Sequence, residues 1–257
     1  MITRLLAVAA LLVGMGLWTR PAVAADTRCY ELRIYHAAPG KLDALHERFR
    51  NHTLRLFEKH GMRNIGYWVP VQNQENPRLY FILSYPNREA REASWKAFVA
   101  DPDWQAAYQA SHAGGVLVEK AESYFLATTD YSPAIRARVG EERRVFEFRD
   151  YTASAGNLDR LHARFRDHTV RLFSKHGMHH FGYWTPMPGE AGAEDRLVYL
   201  LWHDSTDAAK ASFGGFVQDP QWRAARESSE RAAGGSLTAP GGVRSLFLVA
   251  TDYSPTR

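Results

Sequence analysis

The stretch GKLDALHERFRNHTLRLFEKHGMRNIGYW, residues Gly40 to Trp68, returns as GNLDRLHARFRDHTVRLFSKHGMHHFGYW, residues Gly156 to Trp184. At an offset of 116, 19 of the 28 positions from Lys41 onward are identical. Shared composition does not produce such a match, so the chain is a tandem duplication. Leu42, Leu45, Phe49, His52 and Leu56 recur at steps of three and four, which predicts one face of an amphipathic helix. Leu158, Leu161, Phe165, His168 and Leu172 repeat the stripe. Gly61 and Gly177 close the two helices, since glycine takes the left-handed conformation needed just past a helix end.

Working outward, Tyr30, Leu32 and Ile34 alternate with Glu31, Arg33 and Tyr35, which predicts a strand with one apolar and one polar face. Phe146 to Tyr151 is its echo, with Glu147, Arg149 and Tyr151 on the second face. After each helix come short aromatic strands around Gly66-Tyr67-Trp68 and Gly182-Tyr183-Trp184. Apolar strands then follow at Leu79 to Tyr85 and Leu197 to His203. Asn87 and Asp204 are expected to open second helices. These break at Asp101-Pro102 and Asp219-Pro220, where proline suits the first position of a new helix capped by the aspartate. Last strands, Ser123 to Thr128 and Ser245 to Ala250, end in Asp-Tyr-Ser-Pro both times.

The order is strand, helix, strand, strand, helix, strand, twice. That is the ferredoxin-like split βαββαβ unit, an α+β fold with both helices on one sheet face. The other face needs cover, and the second unit is the nearest candidate. Two facing sheets make an intramolecular dimeric α+β barrel. On this reading the helices cover Tyr30, Leu32 and Ile34, and the interior receives Arg33 and Arg149 with their glutamates.

Residues 1–25 read as a signal peptide: Arg4, an apolar run from Leu5 to Leu17, and Ala22-Val23-Ala24 as a cleavage motif. Residues 26–133 form the first repeat, 134–144 a charged linker and 145–257 the second repeat. Losing residues 1–24 removes Arg4 and Arg20 and lowers the formal charge from +4 to about +2. Such a balance gives no argument for nucleic acid, and no nucleic-acid partner is expected. Cys29 is the one cysteine, so no intramolecular disulfide forms. Export to a bacterial periplasm is the expectation, with no membrane contact after cleavage.

The opening YELRIYHAAPGKLDALHERF, the helix end KHG, the GYW that follows and the DPDW and DPQW breaks together resemble the NIPSNAP family, part of the wider dimeric α+β-barrel group. The resemblance covers about Tyr30 to Thr128 and Phe146 to Ala250. It implies the fold above and a chain that forms its own pseudo-dimer, leaving a further homo-oligomer open. It implies no particular reaction. The second copy departs by reading FEFRDY for YELRIY.

For function, a barrel-interior site for a small organic ligand is expected, lined by Arg33, Tyr35, Tyr67, Trp68, Arg149, Tyr151, Tyr183 and Trp184, because aromatic walls with a few phenol groups suit a planar organic ligand. His52 and His168 interrupt the apolar stripes and are the candidate catalytic residues. As proton shuttles they would support a cofactor-independent isomerase or monooxygenase, activities that the resemblance to the barrel group brings in. As axial ligands they would support haem binding. The alternative for both is a structural role. No metal site is expected, because no histidine pair at i, i+3 or i+4 with a nearby carboxylate occurs in both copies. No cofactor is otherwise predicted.

Overall fold

The structure is a computed structural model and describes residues 26–137 and 144–257. The leader read in residues 1–25 lies outside the described residues, as does most of the linker. The first repeat contains β1 (Cys29–Ala37), α1 (Leu42–Arg48), a π-helical turn (Phe49–Thr53), α2 (Leu54–Lys59), β2 (Arg63–Pro70) and β3 (Arg78–Tyr85). It ends with α3 (Arg88–Ala100), α4 (Pro102–His112) and β4 (Val118–Thr128). The second repeat contains β5 (Val145–Ala153), α5 (Leu158–Arg164), a second π-helical turn (Phe165–Thr169), α6 (Val170–Lys175), β6 (His179–Pro186) and β7 (Arg196–His203). It ends with α7 (Thr206–Gln218), α8 (Pro220–Ala233) and β8 (Thr238–Ala250).

All pairings are antiparallel, and the eight strands close in the order β1-β3-β2-β8-β5-β7-β6-β4. The two sheets are stitched by Trp68 opposite Ala250 and Thr128 opposite Trp184. A closed barrel leaves no sheet edge unpaired. The tandem ferredoxin-like barrel is therefore formed within one chain.

The orientation of the sheet faces corrects the sequence reading. Tyr30, Leu32, Trp68, Tyr80 and Ile82 pack with Phe146, Phe181, Trp184, Leu200 and Leu248 in one apolar cluster drawn from both repeats, which is the barrel interior. Trp68 meets Phe146 and Phe181 across the barrel, at ring separations of 5.5 and 5.9 Å. Glu31, Arg33 and Tyr35 point the other way, under the helices. The physical reason is one of partners. The helical layer brings the Arg91 and Trp95 side chains to the buried Glu31 carboxylate, whereas the facing sheet meets the other face with apolar side chains. Polar interior groups are found near the rim, where Arg196 forks onto Asp150 at 2.6 and 2.7 Å and the exposed Arg244 adds a 2.6 Å contact.

The helix breaks follow the aspartate-proline rule. The Asp101 and Asp219 side chains accept from the backbone N–H of Asp103 and Gln221, and proline occupies the first turn. Each aspartate also takes the end of a helix earlier in its repeat, α2 or α6. Asp101 contacts Lys59 and His60 at 2.7 and 2.6 Å, and Asp219 repeats this with Lys175 and His176. The α7 cap is Ser205, which accepts from Ala208, one residue later than the expected Asp204.

Candidate functional site

Beneath α3, the Glu31 carboxylate is fully buried and accepts six hydrogen bonds. Arg33, Arg91 (two), Tyr85, Trp95 and Ser123 donate them. Burial alone would raise its pKa. The Arg91 hydrogen bonds and the Arg33 charge outweigh that and hold it down to about 2. Arg33 in turn lies over the Trp95 ring at 4.4 Å and donates to the Tyr35 hydroxyl. This network fixes the tyrosine in place.

Beside it opens a cavity of about 380 Å³ between the sheet and the helices of the first repeat, lined by Tyr35, Arg48, Phe49, Trp95, Trp104, Tyr108, His112 and Glu119 among others. Two aromatic pairs give it walls. Trp104 stacks near Phe98 at 4.3 Å, and Tyr108 lies 3.9 Å from the His112 ring. Arg48 enters from the π-helical turn side, 5 % exposed, with its guanidinium 5.3 Å from the Trp104 ring and 5.6 Å from the Tyr108 ring.

The π-helical turn decides which residue looks inward. A π turn adds a residue to the helical repeat and rotates the face that follows. Thr53 is consequently buried, with its hydroxyl donating to the Arg48 carbonyl at 3.1 Å. His52 is exposed and does not line the cavity. Thr169 and His168 repeat this, and His168 lies in a shallow cleft beside Arg160 and Asp167. The inward orientation expected of His52 and His168 is thus corrected.

The other predicted residues divide between layers. Tyr35 lines the cavity and Arg33 braces it. Tyr67 is buried in the helical layer, donating to Asn64. Trp68 and Trp184 are in the barrel interior, away from Tyr67 and Tyr183. Arg149 pairs with Glu147 at 2.5 Å and donates to Tyr151 at 2.8 Å, mirroring the first repeat. There His203 and Phe213 replace Tyr85 and Trp95, and Glu147 keeps three hydrogen bonds.

Arg48, Trp104, Tyr108 and His112 were not singled out from the sequence. Arg48 could have been found: it lies three residues after Leu45, on the apolar stripe, and the second copy keeps it as Arg164. Among the described residues no group of three or more His, Cys, Asp or Glu side chains could hold a metal ion. Among them, too, no helix is long and apolar enough to cross a membrane.

Fold and cavity together define a single-chain dimeric α+β barrel with a cavity between sheet and helices. The NIPSNAP family model matches residues 30–133 and 146–255, and the chain belongs to that family. Among solved structures, a monooxygenase-like protein from Lactobacillus acidophilus is similar with a TM-score of 0.55 and 12% identity, over 87% of this chain and 94% of that one. An anthrone oxidase-like protein gives 0.56 and 13%, over 88% and 92%. A NIPSNAP family protein from Agrobacterium tumefaciens is 24% identical over 42% of this chain and 98% of its own, with a TM-score of 0.38. No curated protein matches.

Proposed function

We propose that the protein binds a small organic molecule with an aromatic body in the cavity of the first repeat. The observation that carries this reading is the cavity itself: about 380 Å³, walled by Tyr35, Trp95, Trp104 and Tyr108, with few but well-placed polar groups. Pockets of roughly 300–1,000 Å³ with apolar walls suit small ligands, and indole and phenol faces favour planar ones. This reading puts the site on the helix side of the sheet rather than in the barrel interior, where apolar side chains of both repeats pack together. The leader-like residues 1–25 support an exported binding protein, and the reading calls for no cofactor.

A second reading is acid–base chemistry on the bound molecule, favoured by His112, whose ring lines the cavity. It would inherit the proton-shuttle role first considered for His52 and His168.

Trp95 and Trp104 provide the readout. Titration with 2-naphthol, 2-naphthamide and 2-naphthoate is expected to quench their emission saturably for at least one probe, with Kd below about 1 mM. Val118 also lines the cavity, and Val118→Phe, which narrows it without adding an emitter, should weaken the response. Absence of saturable quenching, or quenching undiminished in Val118→Phe, would overturn the proposal. Under the second reading, His112→Gln leaves binding intact and removes turnover.

A further inference from the structure

Resting on the reading of this cavity as a ligand site, we infer that its ligand is an oxyanion on an aromatic body, of the carboxylate kind, and that only the first repeat binds it. Arg48 carries the argument. Its side chain is buried against the cavity, yet its one hydrogen bond to another side chain is a 3.3 Å contact from Nη1 to the Ser111 hydroxyl. Its Nε is buried without a partner. Among the described residues no carboxylate lies within 4.0 Å of it. Glu119 sits at the exposed mouth, beyond that distance. Burial pushes the guanidinium pKa down, with the Tyr35 and Tyr108 hydroxyls acting in the other direction. A buried cation with no counter-charge is costly, and an anion entering between Trp104 and Tyr108 would remove that cost.

The second repeat has already solved the same problem internally. Arg164 is equally buried and its Nε likewise has no partner, with its guanidinium 5.2 Å from the Trp222 ring and Nη1 3.5 Å from the Ser229 hydroxyl, so the difference between the repeats rests on the carboxylate. Here, however, Glu230 stands where the first repeat has His112, and Arg226 where it has Tyr108. Glu230 lies 3.5 Å from Arg164 and 3.1 Å from Arg226. Arg164 therefore has a carboxylate built into its own repeat, and the aromatic wall that Tyr108 supplies in the first repeat is absent. Duplication has left one arginine open to an external anion and one closed by a residue of the chain.

Calorimetric titration with 2-naphthoate and its uncharged analogue 2-naphthamide tests the inference on the full chain. The expected result is one 2-naphthoate per chain, bound roughly 10- to 100-fold more tightly than 2-naphthamide, the range for a charge-assisted hydrogen bond. Arg48→Met should erase that preference while 2-naphthamide binding persists, which also shows that the variant is folded. Exchanging Arg226→Tyr together with Glu230→His should raise the stoichiometry to two. Equal binding of both probes, with no effect of Arg48→Met, would overturn the anion assignment and leave the aromatic site standing. Failure of both probes would remove the site itself. Two equivalents in the unaltered protein, or one in the exchanged variant, would refute the role given to Glu230.

Discussion

Arg50 forks onto Asp252 at 2.6 and 2.8 Å, joining the first helix of the chain to its last residues across 202 positions. Arg166 does the same to Asp130 at identical distances. Each Asp-Tyr-Ser-Pro exit thus clasps the opposite repeat. Behind Asp252, the Tyr253 hydroxyl meets His46 at 2.7 Å and its ring packs on Phe49 and Tyr67, while the Ser254 hydroxyl accepts from the Tyr67 backbone. The ion pair is exposed and worth about 0–1 kcal/mol. The half-buried ring, packed on the core of the first repeat, is worth more.

Asp252→Ala is therefore expected to cost about 0.5 kcal/mol and Tyr253→Ala about 2–3 kcal/mol, measured by urea denaturation. Tyr131→Ala should resemble Tyr253→Ala, because Tyr131 meets His162 at 2.8 Å in the same way. Equal losses for the aspartate and the tyrosine would show that the clasp is electrostatic.

How far the fold was legible follows from these elements. Duplication, strand periodicity and the aspartate-proline breaks were all visible in the residues, and they suffice for topology and for a closed barrel. Alternation of apolar and polar residues along β1 separates two faces but does not say which meets the helices, because both are buried here. Only the donors of α3, Arg91 and Trp95, show that Glu31 belongs beneath that helix. A period of 3.6 likewise cannot reveal a π turn, and so it misplaces His52. The cavity joins residues more than 60 positions apart, and local spacing does not register such a meeting.

Gly66 and Gly182 explain the Gly-Tyr-Trp motif and lead to a second test. A Cβ on Gly66 would overlap the folded-back indole of Trp68, and one on Gly182 would overlap Trp184 and the Ile135 side chain. Gly66→Ala is expected to destabilise by about 1–3 kcal/mol through overpacking. Combining it with Trp68→Leu should cost less than the sum of the two changes. Strict additivity in thermal melts would show that the glycine is needed for another reason.

Stability should fall with acidity in two stages. His46 and His162 are held below the ordinary value of 6.5 by burial and then by Arg50 and Arg166. Burial, with His179 nearby, takes His180 down to about 4. The unfolded chain takes up these protons below pH 6.5 and the folded one resists, so stability is lost from there downward. Glu31 and Glu122, both held at about 2, extend the loss from pH 4.5 toward 2 as they are protonated. Melting temperature should therefore be highest near neutrality, and His180→Gln should flatten the upper part of the decline. A melting temperature that rises between pH 6.5 and 5 would contradict these environments.

The π turn makes opposite predictions for adjacent residues. His52 is exposed, and surface substitutions away from caps and buried networks usually fall within about 0.5 kcal/mol, so His52→Ala should leave both stability and probe binding unchanged. Thr53 is 1 % exposed and its hydroxyl donates to the Arg48 carbonyl, five residues back across the widened turn. Thr53→Val keeps the volume and removes the donor, at an expected cost of about 1 kcal/mol. Because that carbonyl belongs to Arg48, the same change should also weaken 2-naphthoate binding while sparing 2-naphthamide. Were the helix an uninterrupted α-helix, His52 would point inward instead, and His52→Ala would be the substitution that damages both stability and binding.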